Sequence, residues 1–244
     1  MPLPLQEYRE RSVNSLQSHF VDFLLYLAMV DLKVEAKTEA KQALEEYLAP
    51  NPRLPLIASL YPHTGHTDSL FIYKAFEQLM PEQVNVLRFV SAKDTWSNPF
   101  KRAFARMVIG TPYLFDRDNP SAFLPQVREM KKILKPEDET PAQSLAVYPQ
   151  GTRTPNAPIR ELPPMLASQA KVPLVIFNIH DAETVFPKVT DEEQASQFIQ
   201  ILTERLRTRR GRKHHVTVSM TDVIPAEVKR DERSERFFDA HLNG

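Results

Sequence analysis

Short apolar runs alternating with helical patterns set the tightest limit on what this chain can fold into. LPLIASLY (54–61), VNVLRFVSA (84–92), SLAVYP (144–149), VPLVIFNI (172–179) and HVTVSM (215–220) read as strands. The stretches 68–79, 97–107, 120–134, 163–170 and 190–209 between or after them read as helices. Strand followed by helix followed by strand predicts an α/β fold: a mostly parallel central sheet covered by helices on both faces. Ligands of such sheets bind beyond the carboxyl ends of the strands, so the loops that follow each run are where chemistry is expected.

The 244 residues are 42% hydrophobic and 25% charged, the balance of an ordinary globular protein. A chain of this size buries roughly 70–75% of its unfolded surface. The expected organisation is an N-terminal amphipathic helical region over 1–50, packed on or leading into an α/β domain over 51–244. Val13, Leu16, Phe20, Phe23, Leu24 and Leu27 share one helical stripe, which can face either the core or lipid. The run FLLYLAMV (23–30) is far short of the ~20 apolar residues a membrane span needs. The N-terminal stretch lacks an early apolar core, so the expected location is the cytoplasm, with peripheral attachment to a membrane's cytoplasmic face. KPEDETPAQ (135–143) reads as a solvated connection.

With 31 basic and 31 acidic side chains, the protein as a whole has no charge-driven attraction to nucleic acid, which is not an expected partner. The absence of cysteine excludes disulfides, thiolate nucleophiles and cysteine-held metals. Only five glycines occur, and three of them, Gly65, Gly110 and Gly151, fall in HTGHTD (63–68), IGTPYLFDR (109–117) and YPQGTRT (148–154). Where glycine is scarce, such loops mark sharp turns or close approach of backbone to a ligand.

The first of these loops places His63 and Asp68 five residues apart directly after a strand. A turn leading into a helix near Thr67 brings the carboxylate to the imidazole. Asp68 then holds one ring nitrogen protonated and leaves the other to take a proton from an alcohol. The same residue types leave a second possibility open: His63, His66 and Asp68 as nitrogen and oxygen ligands of a metal, serving a metal-dependent hydrolase. No Gly-x-Ser-x-Gly elbow, phosphate-loop lysine motif or Gly-x-Gly-x-x-Gly fingerprint is present.

The His63/Asp68 block is followed in order by LFDRDN (114–119), YPQGTRT (148–154) and VPLVIFNI (172–179). This succession resembles the signature blocks of the glycerolipid acyltransferases, the family of 1-acylglycerol-3-phosphate and glycerol-3-phosphate acyltransferases. The resemblance runs from about residue 54 to 187, and its first and third blocks are the specific ones. HVTVSMTDVIPAE (215–227) and a helix ending in RFFDAHL (236–242) resemble the strand and closing helix of that domain.

The resemblance implies an α/β acyltransferase domain in which His63 deprotonates a glycerol hydroxyl that attacks an acyl thioester, with Asp68 supporting it. Arg117 and Arg153 would bind the acceptor's phosphate, with Gln150, Gly151 and Thr152 completing the substrate loop. No metal or resident cofactor is implied; acyl-coenzyme A or acyl-carrier protein is the co-substrate, and the acceptor is a lysophospholipid or glycerol phosphate. Two departures stand out: Pro62 where the family has Asn, and Gln150 where it has Glu. The second admits a catalytically silent lipid-binding relative. It also predicts that Gln150→Glu, by restoring a charge beside Arg153, raises transfer. The basic run RLRTRRGRKHH (205–215) suits a solvated helix end, anionic lipid head groups or the phosphates of coenzyme A.

Overall fold

A computed structural model of the chain describes residues 5–65, 67–93, 106, 110–117, 119–151, 157–185 and 213–243, with side chains described from residue 16 onward. The strands are β1 (Val30–Ala36), β2 (Ile57–Tyr61), β3 (Leu87–Ala92), β4 (Tyr113–Phe115), β5 (Ser144–Val147), β6 (Leu174–His180) and β7 (His214–Ile224). Among the described residues they form one seven-stranded sheet in the order β1-β7-β6-β2-β5-β3-β4. From β6 to β4 the five neighbours run parallel. β7 is antiparallel to β6, and β1 lies parallel to β7. The protein is α/β, with a mostly parallel sheet flanked by helices.

Because the sheet is covered on both sides, successive strand residues enter different cores. Ala58, Leu60, Ala146, Val175 and Phe177 pack with α1 (Leu5–Leu27), α2 (Thr38–Leu48) and α3 (Asp68–Leu79). Ile57, Leu145, Val147, Leu174 and Ile176 face α4 (Phe123–Leu134), α5 (Leu162–Ala170) and α6 (Arg230–Leu242). This is why the central strands read as unbroken apolar runs. Phe71, Phe76, Phe177 and Phe237 are fully buried, each contributing about 1.5–3 kcal/mol by leaving water.

The helix expected over 68–79 spans Asp68–Leu79, and that over 163–170 spans Leu162–Ala170. The stretch 120–134 opens with a short 3-10 turn before α4 begins at Phe123. In the stretch 84–92 the strand starts only at Leu87, because Pro81–Asn85 is wound into a 3-10 helix. The helices expected over 97–107 and 190–209 lie outside the described residues, apart from isolated Arg106.

The N-terminal stretch differs from the helical expectation in two ways. Residues 30–36 form a strand of the same sheet, and their alternation of half-buried Val30, Leu32, Val34 and Ala36 with exposed Asp31, Lys33 and Glu35 fits an edge strand wet on one face. On α1 the buried residues are Val21, Leu24 and Leu25, with Ala28 just beyond its end, while Leu16 and Phe23 are exposed. The burial face is therefore rotated from the stripe read in the sequence. Apolar residues encircle the last turns of α1, so contact with α3 and β1 selects the face.

The C-terminal helix is held by polar groups inside the second core. His241 donates from Nδ1 to Asn178 Oδ1 at 2.9 Å and accepts the Ser59 hydroxyl at Nε2 at 2.8 Å. Asn178 in turn donates to the Ala240 carbonyl. Burial lowers the His241 pKa to about 3, so the ring is neutral. Arg233, fully buried, donates to the carbonyls of Pro225, Ala226 and Val228 and fixes the turn between β7 and α6.

Candidate functional site

The first loop starts where β2 ends at Tyr61 and closes at Asp68, the first residue of α3. Asp68 is fully buried, yet its carboxylate accepts four hydrogen bonds: from His63 Nδ1 at 2.9 Å, the Thr64 amide at 2.7 Å, the Gly65 amide at 2.9 Å and the Thr64 hydroxyl at 3.0 Å. Such a donor set, at the positive end of a helix, compensates a buried charge. The carboxylate fixes the imidazole tautomer, because it can only accept and so Nδ1 carries the proton. Nε2 of the neutral ring is then the unprotonated nitrogen, and it makes no hydrogen bond among the described residues. His63 keeps 18% of its side chain exposed, so that nitrogen belongs to a ring reachable from solvent.

The loop after β5 reaches His63 from another direction. Tyr148 stacks on the imidazole with ring centroids 3.9 Å apart and planes inclined by 19°. Its hydroxyl is buried. Burial, reinforced by the Asp68 carboxylate, pushes the phenol well above its usual pKa and keeps it neutral. Gln150 is 3% exposed and uses both ends of its amide: Oε1 accepts the His63 main-chain N–H at 2.9 Å, and Nε2 donates to the Ala157 carbonyl at 3.1 Å.

Gly151 has φ +63°, a left-handed conformation that side-chain-bearing residues adopt with strain. Its carbonyl accepts a hydrogen bond from Arg117 Nη1 at 3.0 Å. Arg117 follows β4, two strands away from β5 across β3, so three successive sequence blocks meet at one edge of the sheet. His63, Asp68, Arg117, Gln150 and Gly151 are thus brought together. Thr152, Arg153 and His66 lie outside the described residues.

No family model and no curated protein matches the chain. The likeness to glycerolipid acyltransferases therefore rests on the motif blocks, and the structure adds where those blocks sit. The site follows the rule for open parallel sheets, lying beyond the carboxyl ends of β2, β4 and β5.

Tyr148 and Thr64 are the site residues that sequence reading passed over. Both lie inside the quoted motifs, and Tyr148 carries a positional signal as the first residue after an all-buried strand. Gln150 is buried, with both ends of its amide engaged by main-chain groups of His63 and Ala157. A carboxylate there would set a negative oxygen against the Ala157 carbonyl, so the expected gain from Gln150→Glu does not fit this geometry. Gly65 differs as well: its φ is ordinary, and an added Cβ would meet Thr67 Oγ1 at an unstrained 3.7 Å. Among the described residues, no group of three or more His, Asp or Glu is arranged to hold a metal ion, and no helix is long and apolar enough to cross a membrane.

Proposed function

We propose that the chain is an O-acyltransferase that moves a fatty acyl group from an acyl thioester, carried by coenzyme A or acyl-carrier protein, to the hydroxyl of a lysophospholipid or glycerol phosphate. The observation that carries this is the His63–Asp68 pair, with Nδ1 tied to a fully buried carboxylate and Nε2 left open, beside a loop joined to Arg117. As the acceptor oxygen bonds to the thioester carbonyl carbon, its proton passes to His63 Nε2. The carbon–sulfur bond then breaks, and the imidazolium returns the proton to the leaving thiolate.

Arg117, together with Arg153, supplies forked guanidinium donors for the acceptor phosphate, which orients the hydroxyl toward His63. Gly151 keeps the loop backbone close without a side chain in the way. Attachment to a membrane is peripheral in this proposal, on the cytoplasmic face, and the exposed Leu16, Phe23 and Tyr26 of α1 are apolar groups able to enter an interface.

The decisive experiment measures thiol released from palmitoyl-coenzyme A against a panel of glycerol 3-phosphate, lysophosphatidate and other lysophospholipids. Acceptor-dependent release, with the acyl group recovered on the acceptor, is expected. Binding of lysolipid without release would identify a silent lipid binder. Hydrolysis abolished by a chelator and restored by a divalent ion would identify the metal-dependent alternative.

A further inference from the structure

We propose that Gln150 is a positioning residue for His63 and that its position requires a carboxamide. The two groups it joins have opposite polarity: a main-chain N–H at His63 and a main-chain carbonyl at Ala157. An amide answers both, because its oxygen accepts and its nitrogen donates. The side chain is 3% exposed, so water cannot readily replace either contact. Asp68 fixes the ring by Nδ1 and Tyr148 fixes its plane by stacking, but neither holds the His63 main chain to the turn after β5. Gln150 does so, and it ties that same turn forward to Ala157.

An ionised carboxylate would keep the His63 contact, lose the Ala157 contact and add a buried negative charge. A protonated carboxyl would restore both, donating its O–H to Ala157 and accepting from His63. The Gln150→Glu variant would therefore work with its new side chain as the neutral acid and fail with it as the anion. The titratable and charged groups around the position, among the described residues, are His63 and Asp68 on the β2–α3 loop, Tyr148 in the same turn, Arg117 on the Gly151 carbonyl and Arg160, whose amide bonds the Pro149 carbonyl. Of these, His63 is the residue that Gln150 bonds, through its main-chain N–H, and an anion placed near its ring favours the imidazolium.

The kinetic part of the test rests on the acyltransferase proposal, whereas the spectroscopic part does not. Wild type, Gln150→Glu and Gln150→Met are compared from pH 5.5 to 9. The His63 ring resonance, assigned by its loss in His63→Gln, is titrated by NMR, and transfer from palmitoyl-coenzyme A to lysophosphatidate is followed in parallel. Gln150→Met keeps the shape and removes both contacts, so kcat should fall about 10- to 100-fold with acceptor KM changed less than about twofold. Gln150→Glu should approach wild type at the acidic end and lose ground as pH rises, while the His63 midpoint moves upward.

A rate ratio of Gln150→Glu to wild type that is independent of pH, with His63 titrating as in wild type, overturns the proposal. So does a Gln150→Met protein with unaltered kcat and unaltered His63 titration. Should Gln150→Met fail to fold, the pH series on Gln150→Glu makes the comparison within one protein. Should wild type transfer to no acceptor, the acyltransferase reading fails, and the His63 titrations still decide whether Gln150 positions that residue.

Discussion

Two histidines, one just after β2 and one on α6 bonded to it, are prepared for opposite ends. Beyond the carboxyl end of β2, His63 has one nitrogen bound to the four-fold bonded carboxyl group of Asp68 and the other open. Two residues before that end, Ser59 meets His241, whose nitrogens are both engaged by neutral partners, the Ser59 hydroxyl and the Asn178 amide. Burial leaves His241 as a neutral crossbrace with a pKa of about 3. The carboxylate and the partly exposed ring with one nitrogen unbonded, not the imidazole itself, make His63 a candidate base. A Ser–His–Asn arrangement sealed in a core is a structural joint, because no substrate reaches it.

Removing each ring tests the contrast most strongly. His63→Ala should lower transfer by about 10²–10⁴ with little change in melting temperature. His241→Ala should do the reverse, lowering stability by about 2–4 kcal/mol through a cavity and two stranded polar partners, while the folded fraction retains transfer. Steady-state rates and denaturant melts on the same preparations check both, and equal loss of activity in the two variants would break the distinction.

Acidity separates the pair by stability alone. The folded pKa of His241 is depressed to about 3 from an ordinary 6.5. Between these values the unfolded chain binds the proton and the folded protein does not. The stability from the neutral ring is therefore complete above about pH 6.5 and declines as pH falls toward 3, by up to about 1.4 kcal/mol per unit. In His241→Gln this component of the pH slope should vanish, as urea melts at pH 7, 6 and 5 would record. Parallel slopes in the two proteins would refute it.

Arg117 gives a smaller effect confined to the open side of β2. Arg117 is an exposed residue, so Arg117→Ala should raise acceptor KM about tenfold and leave donor KM nearly unchanged. Equal changes for both substrates would remove it from the phosphate site. The glycines give the smallest effect. Gly151→Ala forces a left-handed residue and should destabilise by about 1 kcal/mol or more, whereas Gly65→Ala, in ordinary backbone with room for a Cβ, should change stability by less than about 0.5 kcal/mol. Urea melts of the two variants side by side check the order, and equal losses would break it.

How much could be read without coordinates follows from the range of the forces involved. The α/β class was legible because burial on both faces leaves long apolar runs in β2, β5 and β6, and α3 and α5 because helical periodicity is local. β4, three residues long, has no period to detect, whereas the edge strand β1 does alternate strictly as VDLKVEA, a local signal absorbed into the helical reading of the stretch around it. The His63–Asp68 pair was legible because five residues and one turn bring its members together. The sequence by itself determined which residue types stand at the carboxyl ends of β2, β4 and β5. The tertiary structure alone decided that Gln150 turns inward onto His63, that Tyr148 stacks on the ring, and that Ser59, Asn178 and His241 meet. Those contacts join residues up to 182 positions apart, and each depends on the order in which strands pack side by side, which no local pattern encodes.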